Sequence, residues 1–251
     1  MPTGITWCDE TWNPISGCTP ISEGCENCYA RAMAKRLQGM GQKGYENGFE
    51  VTLHKERINQ PSRWRKPRRV FVVSMGDLFH EDVPMAKIKG IWNVAFNVPR
   101  HTYLFLTKRP GRLKEFTERA ARAMYWPIED IWPDWMWIGT TVENQDRAEE
   151  RLGILLDTPA VHRFVSCEPL LGPVRLSSWL GYRCIEWVIV GGESGPGHRP
   201  MEIGWARSIR EQCKEKGIPF HFKQYSGHRP EKCPELDGVR HTARPPFGEG
   251  P

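Results

Sequence analysis

Three cysteines fall within one short stretch, GCTPISEGCENCYA at positions 17–30, as Cys18, Cys25 and Cys28. Thiolates at C-x6-C-x2-C spacing suit zinc or an iron–sulfur cluster. A closed zinc site takes four ligands, and Cys8 is the nearest further thiol. A four-iron cluster can instead rest on three thiolates, leaving one iron open to a ligand that is not protein. The flanking Gly17 and Gly24 suit a tight loop better than a buried apolar cluster.

A second set of chemistry-bearing residues recurs along the chain. Short β-branched or aromatic runs (VFVVS, TYLFLT, MWIGTT, VHRFVSC, EWVIVGG and PFHFKQ) appear from residue 70 onward, and most are followed by charged or amide side chains. These are Asp77; Lys108 with Arg109; Glu143 with Asn144; Glu168; Glu193 with Ser194; and finally Lys223 with Gln224 in the last run. Runs of this kind read as buried parallel strands, whose C-terminal ends open on one face where sites are built. Between them, RLKEFTERAARAMY, NQDRAEERLGILLD and IGWARSIREQCKEKG carry apolar residues at helical spacing. The expected fold is therefore α/β, a partial or complete (βα) barrel with about six or more parallel strands. GITWCDETWN is expected to be its first strand and CYARAMAKRLQG the helix after the cysteine loop.

Composition bounds the rest. The chain has 251 residues, 39% hydrophobic and 26% charged, enough for one large domain. It has no apolar run of membrane-spanning length and no basic-then-apolar leader, which predicts a cytoplasmic protein with no membrane partner. Eight cysteines, three of them clustered, suit ligation in a reducing compartment better than a disulfide scaffold. Residues 1–225 are expected to form the barrel and 226–251, rich in Pro and Gly, a tail or lid. No nucleophile elbow or phosphate-binding Walker loop supports a metal-free hydrolase.

The segments TWNPISGC, GCENCYA, SMGDLFHEDVP, LTKRP, GTTVENQ, CEPLLGPV, VGGESG and FKQ together resemble an uncharacterised phage-associated branch of three-cysteine-motif proteins. A three-cysteine loop after the first strand of a (βα) barrel is similar to the radical S-adenosylmethionine (SAM) superfamily. The spacing is wider than that superfamily's usual C-x3-C-x2-C, and Asn27 stands where an aromatic residue usually precedes the third cysteine. The resemblance implies a 4Fe-4S cluster on Cys18, Cys25 and Cys28, with SAM on the open iron and cleaved to a 5′-deoxyadenosyl radical. It implies that Ser74, Met75, Gly76 and Asp77 bind the SAM amino group, and that Thr141, Glu143 and Asn144 contact its ribose or carboxylate. An N-cap role suits Asn144 equally. Gly191, Gly192 and Glu193 are further cofactor-binding candidates, and Gly191, Gly192, Gly195 and Gly197 could form a backbone nest against the cofactor or a plain turn. An electron donor such as flavodoxin or ferredoxin is implied as a partner.

For the substrate, Lys108, Arg109, Glu168 and Lys223 are the candidate contacts. The basic run Arg63, Arg65, Lys66, Arg68 and Arg69, interrupted by Trp64, suits phosphates and stacked bases and is expected to present its cations on the same side as Lys108 and Arg109, so a nucleotide or nucleic acid leads. A peptide or metabolite substrate is the alternative, and so is a zinc-stabilised nucleic-acid-binding module using Cys8. His80 reads as a loop histidine at the surface.

Overall fold

The computed structural model describes residues 3–246. Seven strands form one parallel sheet that curls into a half-barrel: β1 (Glu10–Trp12), β2 (Arg69–Val72), β3 (Thr102–Thr107), β4 (Met136–Thr141), β5 (Arg163–Cys167), β6 (Val188–Gly191) and β7 (Phe220–Gln224). Each strand pairs with the next in sequence, so the chain winds in one direction and all C-terminal ends emerge together. Five of the six crossovers carry a helix: α1 (Tyr29–Gly39), α2 (Met85–Phe96), α3 (Pro110–Met124), α4 (Gln145–Leu156) and α5 (Ile203–Glu215). The link from β5 to β6 has none.

The strands read as unbroken apolar runs because both of their faces are covered. Val70, Val72, Tyr103, Phe105, Ile138, Val165, Val188 and Val190 turn outward into the layer under the helices. Alternate residues Phe71, Leu104, Trp137, Phe164 and Ile189 turn inward and pack with Trp7, Cys8 and Trp187. The rings meet at tilted or edge-on angles, Trp7 to Phe71 at 4.6 Å and Trp7 to Trp187 at 6.3 Å and 86°. This filling leaves open only the C-terminal mouth.

Two elements differ from expectation. Only Glu10–Trp12 of the first predicted strand pairs with the sheet; Trp7 and Cys8 leave the strand path to plug the interior. Helix α2 is an element that sequence reading passed over, although Ile88, Ile91, Trp92 and Ala95 bury one stripe at i, i+3, i+4 and i+7 spacing. Its polar neighbours are sparse, so its amphipathic contrast is weak.

The Pro- and Gly-rich tail is built onto the barrel as far as residue 246; its last part, 247–251, lies outside the described residues. Phe222 N donates to His241 O at 2.8 Å, and the Trp187 indole donates to Ala243 O at 3.1 Å. Arg244 donates to Thr6 O, and Thr6 Oγ1 lies 2.9 Å from His221 Nε2, so both chain ends bridge the side where β7 and β1 do not pair. Trp187 joins interior plug and tail. Trp187→Ala is expected to cost about 3–5 kcal/mol, read as a lower urea midpoint at unchanged slope.

Candidate functional site

The cysteine loop lies across the mouth of the half-barrel, held by the segments that follow β2, β3, β4 and β6. Its first residue, Gly17, adopts φ +91°, and a side chain there would strike Glu50 O at 2.2 Å. Gly17 N donates to Met75 O at 2.9 Å, and Gly76 has no room for a Cβ because Gly17 O lies 2.5 Å from where it would stand. The loop after β2 is thus the seat of the first cysteine. Farther along, Thr19 Oγ1 lies 2.8 Å from His80 Nε2, and Ser22 Oγ donates to Glu143 at 2.6 Å. Glu23 accepts from Asn144 at 2.5 Å and pairs with Arg147 at 3.0 Å. Asn27 donates to Glu193 and to Gly197 O, both at 2.9 Å, while Arg199 reaches Glu23 O and Glu26 at 2.9 Å.

Beneath the loop is a cavity of about 200 Å³ lined by Cys18, Cys25 and Cys28 together with Lys108, Arg109, Glu168 and Lys223. Its floor is the apolar top of the interior plug, with Trp7, Phe71 and Leu106. Two of the sulfurs face cations. Arg109 Nη1 lies 3.3 Å from Cys18 Sγ, and Lys108 Nζ lies 3.6 Å from Cys25 Sγ. Cys28 caps the N-terminus of α1, where unpaired N–H groups concentrate positive partial charge. All eight cysteines are free. Among the described residues no three His, Cys, Asp or Glu side chains converge as a single-ion site would require.

The thiols differ in ionisation. Burial, reinforced by Asp77, pushes Cys18 up to about 11 despite Arg109. Burial also opposes the charge on Cys25, but the Lys108 ammonium and hydrogen bonds from Ile21 and Ser22 outweigh it and lower the thiol. Cys8 is pushed up to about 12 by burial and then by Asp9; its Sγ faces Ile5 O, and it does not line the cavity.

Each rim carboxylate has a cation of its own. Asp77 Oδ1 accepts from Thr107 Oγ1 at 2.7 Å and Phe79 N at 2.9 Å, and Oδ2 lies 3.2 Å from Arg109. Glu143, fully buried, lies between Lys108 at 2.5 Å and Arg151 at 2.8 Å. Glu193 meets Arg199 at 2.5 Å, and this partner lowers its carboxyl against the effect of burial. Glu168 Oε1 lies 2.8 Å from Lys223 Nζ without hydrogen-bond alignment, and Ser166 donates to Oε2 at 3.1 Å.

Of the residues expected to bind cofactor, Ser74, Gly76, Asp77, Thr141, Gly192 and Glu193 line the cavity. Met75, Glu143, Asn144 and Gly191 do not. Met75 holds the loop by its backbone, and Asn144 is the N-cap of α4, accepting from Arg147 N at 3.0 Å. Gly191 is small because Glu168 lies over it, and Gly192 because Ser226 N is 2.3 Å from where its Cβ would be. His80 is buried, at 2% exposure, because it supports Thr19; the surface reading does not hold. Sequence reading passed over Ser22, Arg151 and Arg199; Arg199 lies beyond a Gly-rich turn with no periodic signal.

The basic run does not share a face with the mouth. It precedes β2 and ends on that strand's first residue, whereas Lys108 and Arg109 follow β3; the six residues of β3 at about 3.3 Å each separate them by about 20 Å. Arg68 and Arg69 pair there with Glu10 and Asp9, while Arg63, Arg65 and Lys66 are exposed. The sequence expectation that the run and Lys108–Arg109 serve one side is corrected by strand polarity.

Fold and site together define a parallel half-barrel whose C-terminal mouth is capped by a three-thiol loop. The family that matches this chain, over residues 2–244, is DUF5131, a protein family of unknown function, and the chain belongs to it. No curated protein and no solved structure matches it.

Two outcomes are expected. Iodoacetamide at pH 8 is expected to label Cys25 ahead of Cys18 and Cys8, because a lowered thiol is more ionised there and raised ones stay protonated; peptide mass mapping reads the order, and equal rates would contradict it. Changing Arg63, Arg65 and Lys66 together to Ala is expected to leave ligand binding at the mouth unchanged and stability within about 0.5 kcal/mol per site. Calorimetric titration and thermal melts check both.

Proposed function

We propose that the chain is a radical SAM enzyme, with Cys18, Cys25 and Cys28 as the ligands of a 4Fe-4S cluster and SAM as the further ligand in the same cavity. The observation that carries this reading is the donor set: three soft thiols lining one cavity at the C-terminal mouth of a parallel half-barrel, with Cys8, the thiol nearest to them in the sequence, turned into the interior plug. Thiolates spread around one cavity suit a multi-iron cluster better than a single zinc ion with sulfurs at about 2.3 Å. When bound, the cluster and SAM together supply a 5′-deoxyadenosyl radical able to take a hydrogen atom from a substrate.

The chain's own residues bind, orient and exclude water. Trp7, Phe71 and Leu106 close the floor against solvent. Ser74, Thr141 and the Gly192–Ser194 backbone are polar groups along the wall for SAM, and Tyr29 lines the same wall with its hydroxyl donating to Ser74 O at 2.6 Å. Asp77 and Glu193 face the cavity already neutralised by Arg109 and Arg199, so either would meet a SAM ammonium by sharing its oxygens with a second cation. The Glu168–Lys223 pair has no contact with the cysteine loop and is the place for a substrate's polar group. A rim whose cations are all paired favours a peptide or metabolite over a polyphosphate chain, the reverse of the preference that the basic run suggested. Flavodoxin or ferredoxin would be the reductant, and free thiols suit a reducing cytoplasm. No helix among the described residues is long and apolar enough to cross a membrane.

Anaerobic reconstitution tests the reading. Wild type is expected to carry about four iron and four sulfide per chain, and Cys18→Ala, Cys25→Ala or Cys28→Ala to lose them. Cys8→Ala is expected to retain them. One zinc per chain, lost in Cys8→Ala, would replace this proposal with the zinc module.

A further inference from the structure

Lys108 and Arg109 are consecutive residues at the end of β3, yet each places a cation between a cysteine sulfur and an inward-facing carboxylate. Lys108 Nζ lies 3.6 Å from Cys25 Sγ, 3.3 Å from Ser22 Oγ and 2.5 Å from Glu143 Oε1. Arg109 Nη1 lies 3.3 Å from Cys18 Sγ and 3.2 Å from Asp77 Oδ2, and its other nitrogens bind Glu81 and Thr19. Adjacent side chains at a strand end diverge, so one dipeptide reaches two thiols seven positions apart in the loop. Sequence reading offered both residues to a substrate. Their geometry instead turns them to the sulfurs, with the carboxylates behind them fixing their positions.

We infer that Lys108 and Arg109 are electrostatic positioning residues for the metal centre, donating to the ligand sulfurs and setting the reduction potential of the cluster; this rests on the iron–sulfur reading above. Reduction adds one electron to the cluster and no proton. A cation a few ångströms from a ligand sulfur, in a site with little water, stabilises the more negative reduced state. Hydrogen bonds to the sulfurs act in the same direction. Glu143 is the counterweight: it holds Lys108 in place and subtracts from its field. The neutral variants of the two partners must therefore move the potential in opposite directions.

The test is a mediated redox titration of the reconstituted full-length protein, followed by the electron paramagnetic resonance signal of the reduced cluster, normalised per cluster. Lys108→Gln retains a donor but no charge, and Glu143 still has Arg151. Its reduced-to-oxidised ratio at fixed potential is expected to fall about tenfold, which is about 59 mV more negative for one electron. Glu143→Gln is expected to shift the other way, and Lys108→Arg to restore the wild-type value. A merely structural role would move both neutral variants alike, through loosening of the loop. Shifts of the same sign, or no shift in either, would overturn the inference while leaving the cluster assignment standing. If Lys108→Gln loads no cluster, the sign of the Glu143→Gln shift decides. A wild type that takes up no iron would sink the cluster assignment and this inference with it.

Discussion

Turning carboxylates inward at the mouth of an apolar half-barrel is costly unless each has a cation of its own, and the architecture of the site follows from that requirement. Glu143 has no exposed surface and Asp77 and Glu193 are 5% exposed. Four strand ends accordingly deliver a carboxylate to a basic side chain, Asp77 to Arg109, Glu143 to Lys108 and Arg151, Glu168 to Lys223, and Glu193 to Arg199 six residues further along the same loop. Arg109 and Arg199 then use their remaining nitrogens to hold the cysteine loop. Charge compensation within the rim and attachment of the loop thus share Arg109 and Arg199.

The contacts on the loop differ in strength. Arg199 with the largely exposed Glu26 is worth at most about 1 kcal/mol, as surface ion pairs are, whereas Ser22 donates at 2.6 Å to the fully buried Glu143. The sheet, the interior plug and the paired rim together bring the three thiols to one cavity.

Much of this was legible in the sequence at the level of position, and little at the level of partner. Runs such as TYLFLT and MWIGTT announced strands because both sheet faces are buried, and the residue types after them announced a rim. Spacing could identify Cys18, Cys25 and Cys28 as neighbours, since six- and two-residue gaps close locally. It could not show that Glu143 answers to Ser22, because that contact arises only when the loop is laid over the mouth, nor that Arg151 on α4 turns back to the same carboxylate. Glycines 191 and 192 looked like a ligand nest, yet side-chain and backbone neighbours account for them. The basic run looked like part of the site for want of strand polarity: five cations at a strand's start and two at the next strand's end are close in the sequence pattern and at opposite poles in space. Helix α2 escaped because an apolar stripe without polar contrast gives a weak periodic signal.

The three thiols end in three different electrical surroundings, although one loop carries them. Cys18 has Arg109 with Asp77 behind it; Cys25 has Lys108, which together with hydrogen bonds from Ile21 and Ser22 outweighs burial; Cys28 stands at the amino end of α1 with no side-chain cation in contact. The helix contributes only partial charge, about half an elementary unit, against a full charge from each side chain. The two side-chain cations that touch sulfurs therefore lie on the Cys18–Cys25 side, each backed by a carboxylate. The opposite wall, with Glu168 and Lys223 balanced against each other, is nearly neutral and is not tied to the loop. The loop is thus fastened to the side of the cavity that carries Lys108 and Arg109, while Glu168 and Lys223 hold each other and make no hydrogen bond to it.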